Sequence, residues 1–121
     1  MNSMHTEGAH GLIDHYLEAI STNMAEKAPL AEDAVYGGPM VPDNLRGAQA
    51  IRQYLSEIAP FIAGIRKVRG VYDQNGAAVI VEITGIRKRR FTGSMFFEFE
   101  NGLISSVQVF FDTRLLMQNV G

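Results

Sequence analysis

Cysteine is absent from the 121 residues of this chain. Disulfides, iron–sulfur clusters, thiolate zinc sites and a cysteine nucleophile are thereby excluded. The absence also suits a reducing compartment. Long apolar runs are missing as well, and no uninterrupted stretch approaches the roughly 20 residues of a membrane span. The first residues lack the cationic segment and apolar run of a signal peptide. A cytoplasmic protein without a membrane partner is the expectation. Net charge is scarce too, at −2, which argues against general nucleic-acid binding.

The charge that exists is unevenly spread. Residues 1–60 carry 8 acids against 3 bases, and residues 61–121 carry 5 acids against 8 bases. Arg66, Lys67, Arg69 and the run Arg87, Lys88, Arg89, Arg90 supply most of the second half's excess. Without interleaved aromatics, that run reads as a solvated hairpin tip. Apolar residues make up 46% and charged residues 20%, a composition that excludes disorder and coiled coil. The length suits one domain over residues 1–121, with residues 1–7 as a flexible tail. About two-thirds of the surface of such a chain is buried on folding, enough for one core.

Along residues 12–24 the apolar positions Leu12, Ile13, Tyr16, Leu17, Ile20 and Met24 fall on one arc of a helical wheel. Asp14 and Glu18 lie opposite, and His15 sits at the edge. A short helix is expected over residues 28–32, with Pro29 in its first turn. Residues 36–44, rich in Gly and Pro, read as a long loop. A second helix follows from Ala48, carried by Ile51, Tyr54, Leu55, Ile58 and Ile62, and Pro60 kinks or ends it.

Beyond Ile65 the apolar period changes to 2, and two Asn-Gly pairs, Asn75-Gly76 and Asn101-Gly102, signal hairpins. Helices followed by antiparallel strands define an α+β domain. A two-residue turn at Asn101-Gly102 places Phe99 opposite Ile104, Phe97 opposite Ser106 and Met95 opposite Gln108. Gly93 then faces Phe110, and Phe91 faces Asp112. The other face carries Thr92, Ser94 and Phe96 with Val107, Val109 and Phe111. Both faces are apolar, so helices are expected over one and a second copy of the chain over the other. A homodimer through the outer sheet face follows.

The amphipathic first helix, the Pro/Gly loop, the helix start Arg46-Gly47-Ala48-Gln49-Ala50-Ile51 and the antiparallel strands resemble the nuclear transport factor 2-like superfamily. The closing stretch Phe110-Phe111-Asp112-Thr113-Arg114-Leu115-Leu116-Met117-Gln118-Asn119-Val120-Gly121 is similar to the ending of its SnoaL-like polyketide cyclases. The resemblance implies a cone, a curved antiparallel sheet wrapped round helices with an internal pocket. It also implies acid/base chemistry at Asp112, and at Tyr16 the oxyanion-hole tyrosine of ketosteroid isomerases. Where those isomerases carry their base, this chain has Gly37-Gly38-Pro39, and Met95 stands where they carry a protonated acid. The Arg-x-Asp pair of limonene epoxide hydrolases is replaced by Val81-Glu82-Ile83-Thr84-Gly85. Both of those activities are disfavoured.

Two catalytic candidates result, Asp112 and Tyr16. The expected register sets Asp112 among aromatics, where its charged form is disfavoured and its pKa rises. Its alternative role is an exposed strand-end cap. Tyr16, centred on the apolar arc, offers a phenol to a ligand or to a core backbone group. Tyr36, Tyr54, Met95, Phe97, Gln108, Phe110 and Phe91 are the expected pocket lining. Glu82 is read as an ion-pair partner of Arg66 or Arg69. His5, His10 and His15 are not spaced for one helix face, so no metal is expected. No G-x-G-x-x-G follows a strand, so no dinucleotide cofactor is expected either. The functional expectation is a small, apolar ligand in the cone, with isomerase, cyclase or lyase chemistry at Asp112. Its rival is a non-catalytic ligand-binding or dimerisation module.

Overall fold

The first helical stripe folds as its period dictates. In the computed structural model, which describes the backbone of residues 2–115 and side chains from Gly8 onward, helix α1 spans Asn2–Ser21. It buries Ile13, Tyr16, Leu17 and Ile20 while Asp14, His15 and Glu18 stay exposed. The helix starts inside the stretch expected to be a tail. The side chain of Met4 and all of residues 116–121, including Met117 and the Gln118-Asn119-Val120-Gly121 ending, lie outside the described residues.

A 3₁₀ turn over Ala25–Lys27 leads into strand β1, Leu30–Gly38, and a hairpin joins it to β2, Val41–Arg46. Two strands therefore replace the expected short helix and long loop. The physical reason is β6, which receives β1 as a parallel neighbour at Leu30↔Ile104 and Tyr36↔Val107. Register irregularities at residues 30–35 and 36–38 hide the period-2 pattern that would have announced β1. Strand β2 lies at the sheet edge, where Pro42 is tolerated.

Helix α2, Ala48–Ile58, starts at Gly47, whose φ of 96° favours glycine. It buries Ile51 and Leu55, and a 3₁₀ turn over Ala59–Phe61, carrying Pro60, ends it. Arg52 reaches out of α2 to donate from Nη2 to the Ala28 carbonyl at 2.8 Å. Strands β3 (Ile62–Tyr72), β4 (Gly76–Gly85), β5 (Arg90–Glu100) and β6 (Leu103–Phe110) follow. The six-stranded sheet is curved and unclosed, in the order β2-β1-β6-β5-β4-β3, and antiparallel except between β1 and β6. The α+β cone expected from sequence is the observed fold.

The two Asn-Gly pairs turn differently. Asn101 and Gly102 have φ of 54° and 76°, the paired positive values of a two-residue hairpin turn. At the other, the Asp73 carboxylate accepts from the backbone N–H of Asn75 and Gly76 at 2.7 and 2.9 Å, making a longer loop.

The register of β5 and β6 departs from the expected one after the two pairs next to the turn, Glu100↔Leu103 and Phe99↔Ile104. Those two hold, but Glu98 then faces Ser106, Phe97 faces Val107, Met95 faces Val109 and Ser94 faces Phe110. Ser105 is the extra residue of a bulge. One inserted residue exchanges the faces of everything beyond it. Val107 and Val109 turn inward and are buried, while Phe110 turns outward at 55% exposure. The outer face therefore carries Phe96 and Phe110, in edge-to-face contact at 5.6 Å, and not Val107, Val109 and Phe111.

Candidate functional site

Between the inner sheet face and the two helices lies a cavity of about 260 Å³. Helix α1 contributes Tyr16 and Ile20, and the β1–β2 hairpin contributes Tyr36 and Met40. From α2 and the turn after it come Tyr54, Leu55, Ile58 and Phe61. The remaining strands close the wall with Ile62, Ile65, Ile83, Phe91, Met95, Val109 and Phe111. Twelve of these fifteen side chains are hydrocarbon or thioether. The other three are tyrosines.

The three phenols come from three elements brought together by the fold. Tyr36 and Tyr54 pack with ring centroids 5.3 Å apart, which brings their hydroxyls within reach of each other. Tyr16 is fully buried and set edge-to-face against Phe97 at 5.4 Å. Burial pushes all three pKa values up, and the nearness of the other phenols adds to this for Tyr16 and Tyr36. At neutral pH the cluster is a set of uncharged hydrogen-bond donors in an apolar chamber.

A pH dependence follows. A tyrosine whose folded pKa exceeds its unfolded value keeps its proton in the folded state longer. The folded state is therefore favoured below the ordinary value of about 10 and loses that advantage as pH rises above it. Absorbance of phenolate against pH should show Tyr16, Tyr36 and Tyr54 ionising together with unfolding, not before it.

The sequence-derived site residues divide cleanly. Tyr16, Tyr36, Tyr54, Phe91 and Met95 line the cavity. Phe97 does not; it is buried behind Tyr16 as core. Gln108 and Phe110 point to the outer face, carried there by the Ser105 bulge. Asp112 lies past the end of β6, outside the cavity wall. Its carboxylate is exposed and grips Arg114, accepting from Nε at 3.1 Å and Nη2 at 2.8 Å, and from its backbone N–H at 3.0 Å. Those hydrogen bonds hold the Asp112 carboxyl below the usual carboxylate range, the reverse of the expected rise. Asp112 and Tyr16 thus form no common constellation.

Glu82 pairs with Arg66 at 3.2 Å across β3 and β4, as its alternation suggests. Val109 and Phe111 are lining residues that the shifted register concealed, and Ile83 and Ile65, paired on β4 and β3, line the cavity as well. Among the described residues no cluster of His, Asp or Glu is placed to hold a metal ion. No helix among them is long and apolar enough to cross a membrane.

A family model matches residues 4–121, described as Domain of unknown function (DUF4904). The chain belongs to that family. No curated protein matches it by sequence. Among solved structures, an NTF2-like protein of unknown function from Cytophaga hutchinsonii superposes with a TM-score of 0.72. It is 21% identical, over 90% of this chain and 94% of that one. An LEH-like epoxide hydrolase of M. tuberculosis gives 0.77 at 18% identity, covering 95% and 93%. A Kribbella flavida protein whose ketosteroid isomerase assignment is provisional gives 0.76 at 27% identity, covering 88% and 79%. The DUF4904 chain therefore has the nuclear transport factor 2-like fold.

Proposed function

We propose that this protein binds a small apolar molecule carrying one oxygen acceptor, without converting it. The observation that carries the reading is the composition of the wall, which holds three protonated phenols and, among the described residues, no carboxylate, imidazole or amine. Proton-transfer chemistry needs a group whose pKa lies near the working pH, and phenols pushed upward by burial are donors only. A carbonyl, ether or hydroxyl oxygen on the ligand would accept from the tyrosines while its body fills the apolar chamber. The likeness to an epoxide hydrolase and to a provisional isomerase supports the fold's capacity for such ligands, not an activity here. Titration with an environment-sensitive apolar fluorophore tests this. One saturable site per chain is expected; fluorescence that never saturates, or stays flat, overturns it.

The outer sheet face supports a second element of the proposal, pairing with another copy of the chain. Val71, Ala78 and Phe96 form one cross-strand row, and Ile80 and Phe110 lie in the next. Val71 is 69% and Phe96 48% exposed, a contiguous apolar surface on a charged protein. A two-fold arrangement buries the same patch on both copies. Sedimentation velocity at micromolar concentration should show a dimer that Phe96→Ser converts to monomer. A wild-type monomer contradicts the pairing.

A further inference from the structure

The geometry points to the open end of the cavity as a docking surface for an anionic lipid bilayer. Four chain segments reach that end together. Gly85 pairs with Ile62, Thr84 with Arg90, Ser94 with Phe110 and, in parallel, Gln108 with Gly37. The β4–β5 turn, the β1–β2 turn and the start of β3 therefore lie at the same end of the sheet. Three large apolar side chains project there: Met40, Phe61 and Ile86, exposed by 42%, 44% and 46%. Met40 and Phe61 also line the cavity, so the apolar rim is continuous with the apolar interior.

Ile86 is followed directly by Arg87, Lys88, Arg89 and Arg90, all exposed. The turn is fixed by Gly85 N–H donating to the Arg89 carbonyl at 3.0 Å and by Lys88 at φ 67°. Only Arg90 has a carboxylate near it, Glu82 at 3.9 Å, and Glu82 is held more closely by Arg66. Asp112 at this end is paired with Arg114, and the neighbouring segments also carry Asp43 on β2 and Glu57 at the end of α2, neither of them in an ion pair with the turn. Arg87, Lys88 and Arg89 thus face solvent without an acidic partner among the described residues. A net charge of −2 would repel the whole molecule from an anionic surface, so attachment requires this local patch.

Ile86 does not stand alone at this end, since Met40 and Phe61 project beside the same cavity, and a nucleic acid would be met by stacking aromatics, which the turn lacks. Clustered cations beside projecting apolar groups match a surface with negative headgroups outside and hydrocarbon beneath. Peripheral docking of this kind needs no membrane-spanning segment, and it gives the run Arg87 to Arg90 a role beyond the solvated hairpin tip expected from sequence. It also places the cavity mouth against the source of apolar molecules, although attachment does not depend on what the cavity binds.

Co-sedimentation of the full chain with vesicles tests the proposal. Binding is expected to phosphatidylcholine vesicles containing a third of phosphatidylglycerol, and not to pure phosphatidylcholine. Replacing Arg87→Ser and Arg89→Ser together should weaken it by on the order of tenfold or more. Ile86→Ser should weaken it several-fold while leaving the salt dependence unchanged. These positions are exposed, and thermal unfolding verifies that the variants stay folded. No binding to the mixed vesicles at low salt, or equal binding by the double variant, overturns the proposal. Retention on heparin that is identical in wild type and Ile86→Ser, with no competition by vesicles, overturns it in favour of a polyanion. Fluorophore binding in the cavity is read separately, so either result can fail alone.

Discussion

Phe97→Ala should destabilise the fold by about 3–5 kcal/mol, the usual cost of removing a buried phenyl ring. The ring is 3% exposed, faces Val107 across the β5–β6 ladder and stands edge-on to Tyr16 at 80°. Truncation would leave an apolar void under α1 that the neighbouring strands cannot collapse into. Against a typical total of about 5–15 kcal/mol, a loss of this size is readily measured by urea denaturation. Phe110→Ala, on the outer face and 55% exposed, should cost a monomer far less. The contrast is diagnostic, because an unbroken register through Asn101-Gly102 would put Phe97 and Phe110 on the same face. Equal losses at the two positions would mean that the bulge at Ser105 is wrong.

The second large effect concerns the cavity. Ile65 lies on β3, half-buried in the wall opposite Ile83. Ile65→Trp extends an indole into space that the wild type leaves empty, so the chamber shrinks without a side chain being displaced from the core. Binding of the apolar fluorophore should fall at least tenfold, about 1.4 kcal/mol. Filling a cavity commonly stabilises, so the thermal midpoint should hold or rise. A midpoint that drops with binding intact would show that the fluorophore sits elsewhere, with the outer patch around Phe96 as the obvious place.

The helices were legible because their signals are local. The stripe Ile13, Tyr16, Leu17, Ile20 and the stripe Ile51, Tyr54, Leu55, Ile58 need only the 3.6-residue period to be seen. The Asn101-Gly102 turn was equally plain, since its two positive φ values are a property of those residues. Strand β1 was not legible, because its burial does not alternate and its partner β6 is some seventy residues away. Proline and glycine at residues 37–42 mark a loop in most contexts; here they sit in a short edge hairpin whose shape is set by the sheet.

The β6 side of the site is the part that the sequence conceals. Ser105 has no sequence signal marking it as a bulge, yet it decides which of Val107, Gln108, Val109, Phe110 and Phe111 faces inward. Asp112, placed among aromatics by the unshifted register, is instead on the surface with Arg114. The cluster of Tyr16, Tyr36 and Tyr54 could be noticed residue by residue, but the meeting of α1, β1 and α2 at one point is a property of the tertiary fold. The acid/base role that the resemblance implies for Asp112 is not accompanied by a place in the cavity wall.

The central claim is that the tyrosines receive a ligand oxygen inside an apolar cavity. Calorimetric titration of a small cyclic ketone and its parent hydrocarbon, into wild type and Tyr16→Phe, measures this directly. A hydrogen bond to a buried phenol contributes about 1 kcal/mol net, so the ketone should bind wild type several-fold more tightly than the hydrocarbon. In Tyr16→Phe that preference should shrink while hydrocarbon affinity is kept. Equal affinities for the two compounds in wild type, or a preference that Tyr16→Phe leaves untouched, would contradict the account.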